Sequence, residues 1–359
     1  MTDIKSLLPE EVEQYILSLG EPKFRAKQLF RWLSTGAESF DGMQNLPRAL
    51  REKLACACML TAPALLKRQT SADGTVKCLW ELADGNAVET VVMRYSHGNT
   101  VCISSQVGCR QGCAFCASTI GGLVRDLTAG EMLDEVLFSE KICGETISNV
   151  VLMGIGEPLD NYDNVVRFLR LISCPEGRNL GLRHISLSTC GVTERMAALA
   201  GEGLPVTLAV SLHAPDDETR SRLMPANRNT GVAALTDACV DYFRRTGRRV
   251  SFEYAMIDGV NDAPRQARQL SDLAKKCSAH INLIPLNKVE ERQFQPSRPE
   301  RTRAFCKILE DKGANFTIRR RLGGDIDAAC GQLRRKAACK KKPFVSPPEG
   351  RGNEETRIE

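Results

Sequence analysis

The sequence predicts an α/β fold built as a partial, open barrel of six parallel βα units, (β/α)6, with an N-terminal helical accessory region and a small β-hairpin. Three observations carry this expectation. From residue 100 to 320, short apolar strand-like runs alternate with helical stretches, and repeated βα units imply parallel strands with helices outside. The strand-like runs number six, fewer than the eight of a closed barrel. Polar and glycine-rich residues gather where those runs end, which is where parallel βα proteins form their active sites.

The elements follow in chain order. Pro9-Glu10-Glu11-Val12 opens one helix and residues 23–32 form another, with Pro22 and Gly36 as punctuation. The basic segment 23–28 carries one aromatic, so it is either an RNA-contact face or a solvated helix side. Runs 74–80 and 87–93 flank Asp84-Gly85-Asn86, a turn signal, and read as a hairpin. Residues 1–95 are therefore expected to be an accessory region and 96–335 the core. In the core, strands are expected at 100–105, 147–153, 183–189, 205–211, 250–257 and 280–286. Helices are expected at 128–142, 161–173, 193–201, 262–276 and 298–312, with a loop and at least one helix in 212–249. Residues 336–359 contain Lys340, Lys341 and Lys342 and few large apolar side chains, the composition of a disordered basic tail.

Composition narrows the class. The chain has 359 residues, 42% hydrophobic and 26% charged, enough for a sizeable core plus an appendage. A net charge of +5 and a pI near 8.5 are compatible with a nucleic-acid partner. No apolar run reaches the ~18 residues of a spanning helix, and the acidic first ten residues do not read as a signal peptide. Fifteen cysteines, an odd number scattered through a large chain, do not form a disulfide framework. Most, such as Cys143, Cys174 and Cys239, are expected to be buried reduced thiols, which places the protein in the cytoplasm.

The strongest chemical signal is Cys109, Cys113 and Cys116, at C-x3-C-x2-C spacing in a polar, glycine-containing loop after the first core strand. Thiolates this close point to metal. An iron–sulfur cubane ordinarily takes four thiolates, so three leave one iron open to a substrate or cofactor. A structural zinc site would need a fourth ligand, for which Cys102 or a distant histidine is available. The later strand ends contribute Gly154-Ile155-Gly156-Glu157-Pro158, then Ser188 and Thr189, then Ser211-Leu212-His213, and Asn287. Taken singly, Ser188 is a strand-end cap and His213 a structural histidine. Likewise Glu89 is a solvent-facing hairpin residue and Cys102 a buried thiol.

Taken together, these motifs carry a resemblance. The cysteine loop, the Gly-Glu-Pro segment and the βα core are similar to the radical S-adenosylmethionine superfamily. The stretches Val88-Glu89-Thr90-Val91, Ser104-Ser105-Gln106-Val107-Gly108-Cys109, Met153-Gly154-Ile155-Gly156-Glu157-Pro158-Leu159, Ser211-Leu212-His213-Ala214-Pro215 and Asp325-Ile326-Asp327-Ala328-Ala329-Cys330-Gly331-Gln332-Leu333 resemble the RlmN family of dual-specificity RNA methyltransferases. The resemblance runs from about residue 5 to 335.

It implies methylation of adenine C2 in 23S ribosomal RNA and in tRNA, with a [4Fe–4S] cluster and S-adenosylmethionine as cofactors. Cys109, Cys113 and Cys116 would hold the cluster, whose free iron chelates S-adenosylmethionine. Gly156 and Glu157 would grip its ammonium, and Ser188, Ser211, Leu212, His213 and Asn287 would make further contacts. Adenine C2 is an electron-poor carbon, and the family does not methylate it directly. By resemblance, Cys330 first receives a methyl group, and a second S-adenosylmethionine then supplies the radical that activates it. Glu89 would accept the C2 proton. Cys102 would release the product, leaving a Cys102–Cys330 disulfide for a reductant to reopen.

Gly323 and Gly324 imply a flexible approach to Cys330. Arg244, Arg245, Arg248, Arg249, Arg319, Arg320 and Arg321 are phosphate partners, or, for the first group, offset a helix dipole. An electron donor such as flavodoxin and a monomeric state are expected. Two alternatives stand: the related Cfr enzymes, which methylate C8 and typically have Ala where this chain has Pro158, and a non-catalytic zinc-stabilised RNA-binding module. Lys288 after Asn287 and Cys190 after Thr189 depart from the family pattern.

Overall fold

The computed structural model describes residues 2–287, 289, 291–320, 322–326 and 333. Cys330, Arg321, Lys288 and the tail 336–359 lie outside the described residues.

The N-terminal region contains β1 (Thr2–Asp3), α1 (Pro9–Ser18), α2 (Phe24–Leu33), α3 (Arg48–Ala57) and β2 (Cys58–Met59), with β1 and β2 paired in parallel. Pro9 opens α1 at a position where its missing N–H costs nothing, and Glu11 accepts from the Leu8 amide at 2.8 Å. The third helix was not anticipated. It begins directly after Pro47 without a polar cap, so only its burial of Leu50 and Leu54 marks it. The region is fixed to the rest by a buried ion pair, Lys5 Nζ to Asp134 at 2.7 Å.

Then follow β3 (Ala64–Thr70), β4 (Val76–Glu81), β5 (Ala87–Tyr95), β6 (Gly98–Cys102), β7 (Gln106–Gly108), β8 (Leu123–Asp126), α4 (Ala129–Cys143), β9 (Ile147–Leu152) and α5 (Tyr162–Ser173). The chain continues through β10 (Ile185–Thr189), α6 (Thr193–Gly201), β11 (Thr207–Ser211), α7 (Asp217–Leu223), α8 (Val232–Thr246) and β12 (Ser251–Met256). It closes with α9 (Pro264–Lys276), β13 (His280–Pro285), α10 (Pro299–Asp311) and β14 (Phe316–Ile318).

One ten-stranded sheet runs β14-β13-β12-β11-β10-β9-β6-β5-β4-β3. From β6 to β14 all neighbours are parallel and in chain order, the winding of an open barrel. Among the described residues its edge strands, β14 and β3, do not pair with each other, so the barrel is open. All six expected core strands form. A seventh parallel strand, β14, was missed because three residues are too few to show a pattern.

The hairpin differs from expectation. β5 pairs antiparallel with β6, and β4 and β3 continue the core sheet beyond it, each antiparallel to its neighbour, so they are not a separate unit. Val88, Thr90 and Val92 of β5 face the core, where Trp80 Nε1 donates to Thr90 Oγ1 at 2.9 Å and the indole meets Phe138 of α4 edge-on. Alternation then turns Glu89, Val91 and Met93 to the other face.

Candidate active site

The ends of the parallel strands open onto a cavity of about 340 Å³, within the range of small-molecule sites. The cysteine loop forms one wall. It is framed by the ribbon of β7 and β8, which the sequence reading did not anticipate. Gly108 is required there: it sits at φ +84°, and a Cβ would lie 2.0 Å from the Gly122 carbonyl. Cys109, Cys113 and Cys116 all line the cavity. The Ala114 amide donates to the Leu223 carbonyl at 2.8 Å, seating the loop on the end of α7.

The strand ends supply the floor. Gly156, Glu157, Ser188, Ser211, His213 and Asn287 all line the cavity. Gly156 has φ +112°, and a Cβ would meet Ser105 Oγ and the Gln106 side chain at 2.7 Å. Glu157 is buried, and its two oxygens accept from the Leu159 amide at 3.0 Å and the Cys190 amide at 2.7 Å. Burial pushes its carboxyl above the usual carboxylate range, against those two N–H bonds. Ser188 Oγ and Ser211 Oγ stand 3.3 Å apart. His213 adopts φ 54°, and its Nδ1 accepts from the Ala255 amide at 3.0 Å. Burial, then the Arg220 charge, lowers its pKa to about 3, so the ring is neutral with its proton on Nε2. Leu212 is different: its side chain packs in the hydrophobic core, and only its backbone reaches the rim.

The opposite wall comes from the antiparallel strands. Cys102, the last residue of β6, is buried and lines the cavity opposite Val91 of β5. Glu89 does not face solvent. It is 4% exposed and pairs with Lys77 Nζ of β4 at 2.8 Å, itself fully buried. Next to this wall, the segment before Cys330 is tied to the β3–β4 turn. The Gly323 amide donates to Asp73 at 2.8 Å, the Ala72 amide donates to Asp325 at 3.0 Å, and Ser71 donates to Asp325 as well.

Of the arginines, Arg319 and Arg320 line the cavity. Arg244 and Arg245 sit in the last turn of α8, and Arg248 donates to the Val206 carbonyl before β11, so they serve the far rim. Two residues were missed by sequence reading. Glu253 of β12 is buried at the cavity and accepts from Asn282 at 2.7 Å; a carboxylate inside the apolar run 250–257 was the available signal. Arg220 is buried in α7, and nothing in its polar helix distinguished it from its neighbours.

The donors fit an iron–sulfur cluster better than a single ion. Among the described residues, no three His, Cys, Asp or Glu side chains converge as ligands of one metal ion would. In a cubane each thiolate binds its own iron, so the three cavity-lining cysteines supply three of the four ligands and leave one iron open. Burial pushes the Cys109 thiol up to about 12 and Cys113 higher still. Such sulfurs ionise when a cation binds them. Ser118 Oγ, in the same wall, is buried without a hydrogen-bond partner among the described residues.

Similarity to known proteins agrees with this geometry. The Radical SAM superfamily model matches residues 103–270, and the ribosomal RNA large subunit methyltransferase N-terminal domain model matches residues 2–60. A probable dual-specificity RNA methyltransferase RlmN of Desulforamulus reducens is 52% identical over 336 residues, covering 93% of this chain and 96% of that protein. The chain belongs to the RlmN family. A second relative of the same name, from Symbiobacterium thermophilum, is 53% identical over 336 residues, covering 91% of this chain and 90% of that one. The crystal structure of a radical SAM methyltransferase from Sphaerobacter thermophilus superposes with a TM-score of 0.88 at 42% identity, covering 92% of this chain and 99% of that one.

As an RlmN-family member, the protein is a radical S-adenosylmethionine RNA methyltransferase that uses a [4Fe–4S] cluster and S-adenosylmethionine. This sets aside the non-catalytic zinc module. Among the described residues, no helix is long and apolar enough to cross a membrane.

Proposed function

We propose that the protein methylates C2 of an adenine in 23S ribosomal RNA and in tRNA, with Cys330 as the methyl carrier. The observation that carries this reading is a single cavity whose one wall holds Cys109, Cys113 and Cys116 and whose other wall holds Cys102, beside buried Glu89. A cofactor site and a second thiol for product release thus share one chamber.

When bound, the cluster and S-adenosylmethionine supply the methyl group and a hydrogen-abstracting radical. The remaining work falls to the chain. Glu157, fixed by two backbone amides, offers its other lone pairs to an ammonium group. His213 presents Nε2–H as a donor, and Ser188, Ser211 and Asn287 offer further polar contacts. Glu89, paired with the buried Lys77 at 2.8 Å, would take the C2 proton from the covalent protein–RNA adduct as that adduct gives up its unpaired electron to a one-electron acceptor, a role the oxidised cluster would supply. Cys102 Sγ then bonds to Cys330 Sγ while the bond from that sulfur to the transferred carbon breaks. The carbon takes a proton and leaves as the methyl group of the product. A reductant reopens the disulfide.

The helical N-terminal region, up to β2, serves as the RNA-engaging accessory region, the sheet from β3 onward as the core, and 336–359 as a basic tail. The exposed Lys23, Phe24 and Lys27 of the N-terminal region, with Arg319 and Arg320 at the cavity, supply phosphate and base contacts. The target adenine enters out of its stack. An electron donor such as flavodoxin, a monomeric state and a cytoplasmic location go with this reading.

The test is Cys330→Ala. The variant is expected to bind iron like the parent and to make no methyladenosine. Methyladenosine from that variant would refute the carrier role.

A further inference from the structure

Arg220 lies outside every motif that defines the family resemblance, yet it joins most parts of the cofactor site. It is 1% exposed. Its Nε donates to the Leu212 carbonyl at 3.1 Å, and its Nη2 to the carbonyls of Cys190 at 2.6 Å and Ser211 at 3.3 Å. Nη1 donates to Asn227 Oδ1 at 2.7 Å. All four acceptors are neutral, so the fork is satisfied while its charge is not. Asp217 stands behind Asn227, and its carboxylate already accepts from the Asn227 side chain and the Val232 amide. A buried cation in this state is costly unless an anion completes it.

The helix of Arg220 packs on the cysteine loop: Leu223 and Cys190 share an apolar cluster against which Cys113 and Phe115 sit. The helix carrying Arg220 accepts the Ala114 amide at Leu223. Burial works against the Arg220 charge, and the neighbouring Cys190 and Cys113 sulfurs would favour it only as thiolates, as Asp217 already does. The Cys190 peptide links the fork to Glu157 as well, since its carbonyl accepts from Arg220 and its amide donates to the Glu157 carboxylate.

We propose that Arg220 is the built-in counter-ion of the iron–sulfur cluster: its charge stabilises the reduced cluster more than the oxidised one, while its fork fixes the strand ends that carry Glu157 and His213. The inference rests on Cys109, Cys113 and Cys116 being the cluster ligands. Reduction adds one electron from the external donor, which is oxidised, and no proton moves. A nearby positive charge raises the potential for that step, so Arg220 is a positioning and tuning residue, not one that touches the reacting atoms.

The experiment uses the full chain with its cluster reconstituted, as parent, Arg220→Met and Arg220→Lys. Iron and sulfide are quantified, and the midpoint potential is read by spectroscopically monitored reductive titration without S-adenosylmethionine. Arg220→Met is expected to be at least tenfold harder to reduce, a negative shift of about 59 mV for one electron. Arg220→Lys, which keeps the charge and loses the fork, is expected to shift by less than half of that. A parent-like potential in Arg220→Met overturns the proposal, as does an equal shift in both variants. If Arg220→Met does not retain iron, Arg220→Lys decides alone, and a tenfold loss there overturns it. Failure of the ligand assignment looks different, because iron would then persist when Cys113 is replaced.

Discussion

Cys113→Ala is expected to lose the iron–sulfur chromophore and all methyl transfer while the protein remains folded. The cluster site has three sulfurs, and each holds a different iron, so removing one leaves a cubane with two anchors. The neighbouring thiol, Cys190, is buried and hydrogen-bonded to the Glu157 carboxylate, so it is expected not to replace the lost ligand. The fold should survive, because the loop is held by the Ala114–Leu223 hydrogen bond and by Arg292, whose Nη2 donates to the Cys116 carbonyl at 3.0 Å. Exchanging one small side chain for another in the adjoining apolar cluster costs on the order of 1 kcal/mol. Iron and sulfide analysis with a thermal melt reads both outcomes. A variant that keeps its full iron content would remove Cys113 from the ligand set.

Glu89→Gln is expected to slow product formation by about 10²–10⁴-fold, the usual contribution of a positioned base. Glutamine keeps the shape and can still accept a hydrogen bond from Lys77, but it cannot take the C2 proton. The covalent protein–RNA adduct should therefore accumulate and appear as a slow-migrating band on a denaturing gel. The same change leaves the Lys77 ammonium buried without its counter-charge, and breaking such a pair costs about 3–5 kcal/mol. Stability and chemistry separate in the double variant Lys77→Met/Glu89→Gln. It should regain much of the lost stability and none of the rate. A single variant with parent-like turnover would exclude Glu89 as the proton acceptor.

What could be read in the sequence was what is local. The cysteine spacing, the glycines at Gly108 and Gly156 and the six apolar strands are written in consecutive residues, and each appears where expected. What single residues did not show depends on partners distant in the chain. Taken singly, Glu89 reads as a solvent-facing hairpin residue because nothing near it announces Lys77, one strand away, and its role as proton acceptor came from the resemblance alone. The hairpin looked separate because the break after Tyr95 is a turn, and only pairing with β6 shows that the sheet continues through it. Leu212, carried along by its neighbours Ser211 and His213, points into the core because successive residues face opposite ways. Arg220 was invisible for the same reason as Lys77, since its partners come from three other segments. Cys330 was named by resemblance, and the segment leading to it is tied to the β3–β4 turn through Asp73 and Asp325.

The central claim is methylation at adenine C2, and one measurement addresses it directly. The reconstituted protein is incubated anaerobically with a ribosomal RNA fragment, methyl-labelled S-adenosylmethionine and a reductant. The RNA is digested to nucleosides, and the labelled product is compared with authentic standards by chromatography and mass spectrometry. The account predicts 2-methyladenosine. Labelled 8-methyladenosine, or label on any atom other than C2, would contradict it.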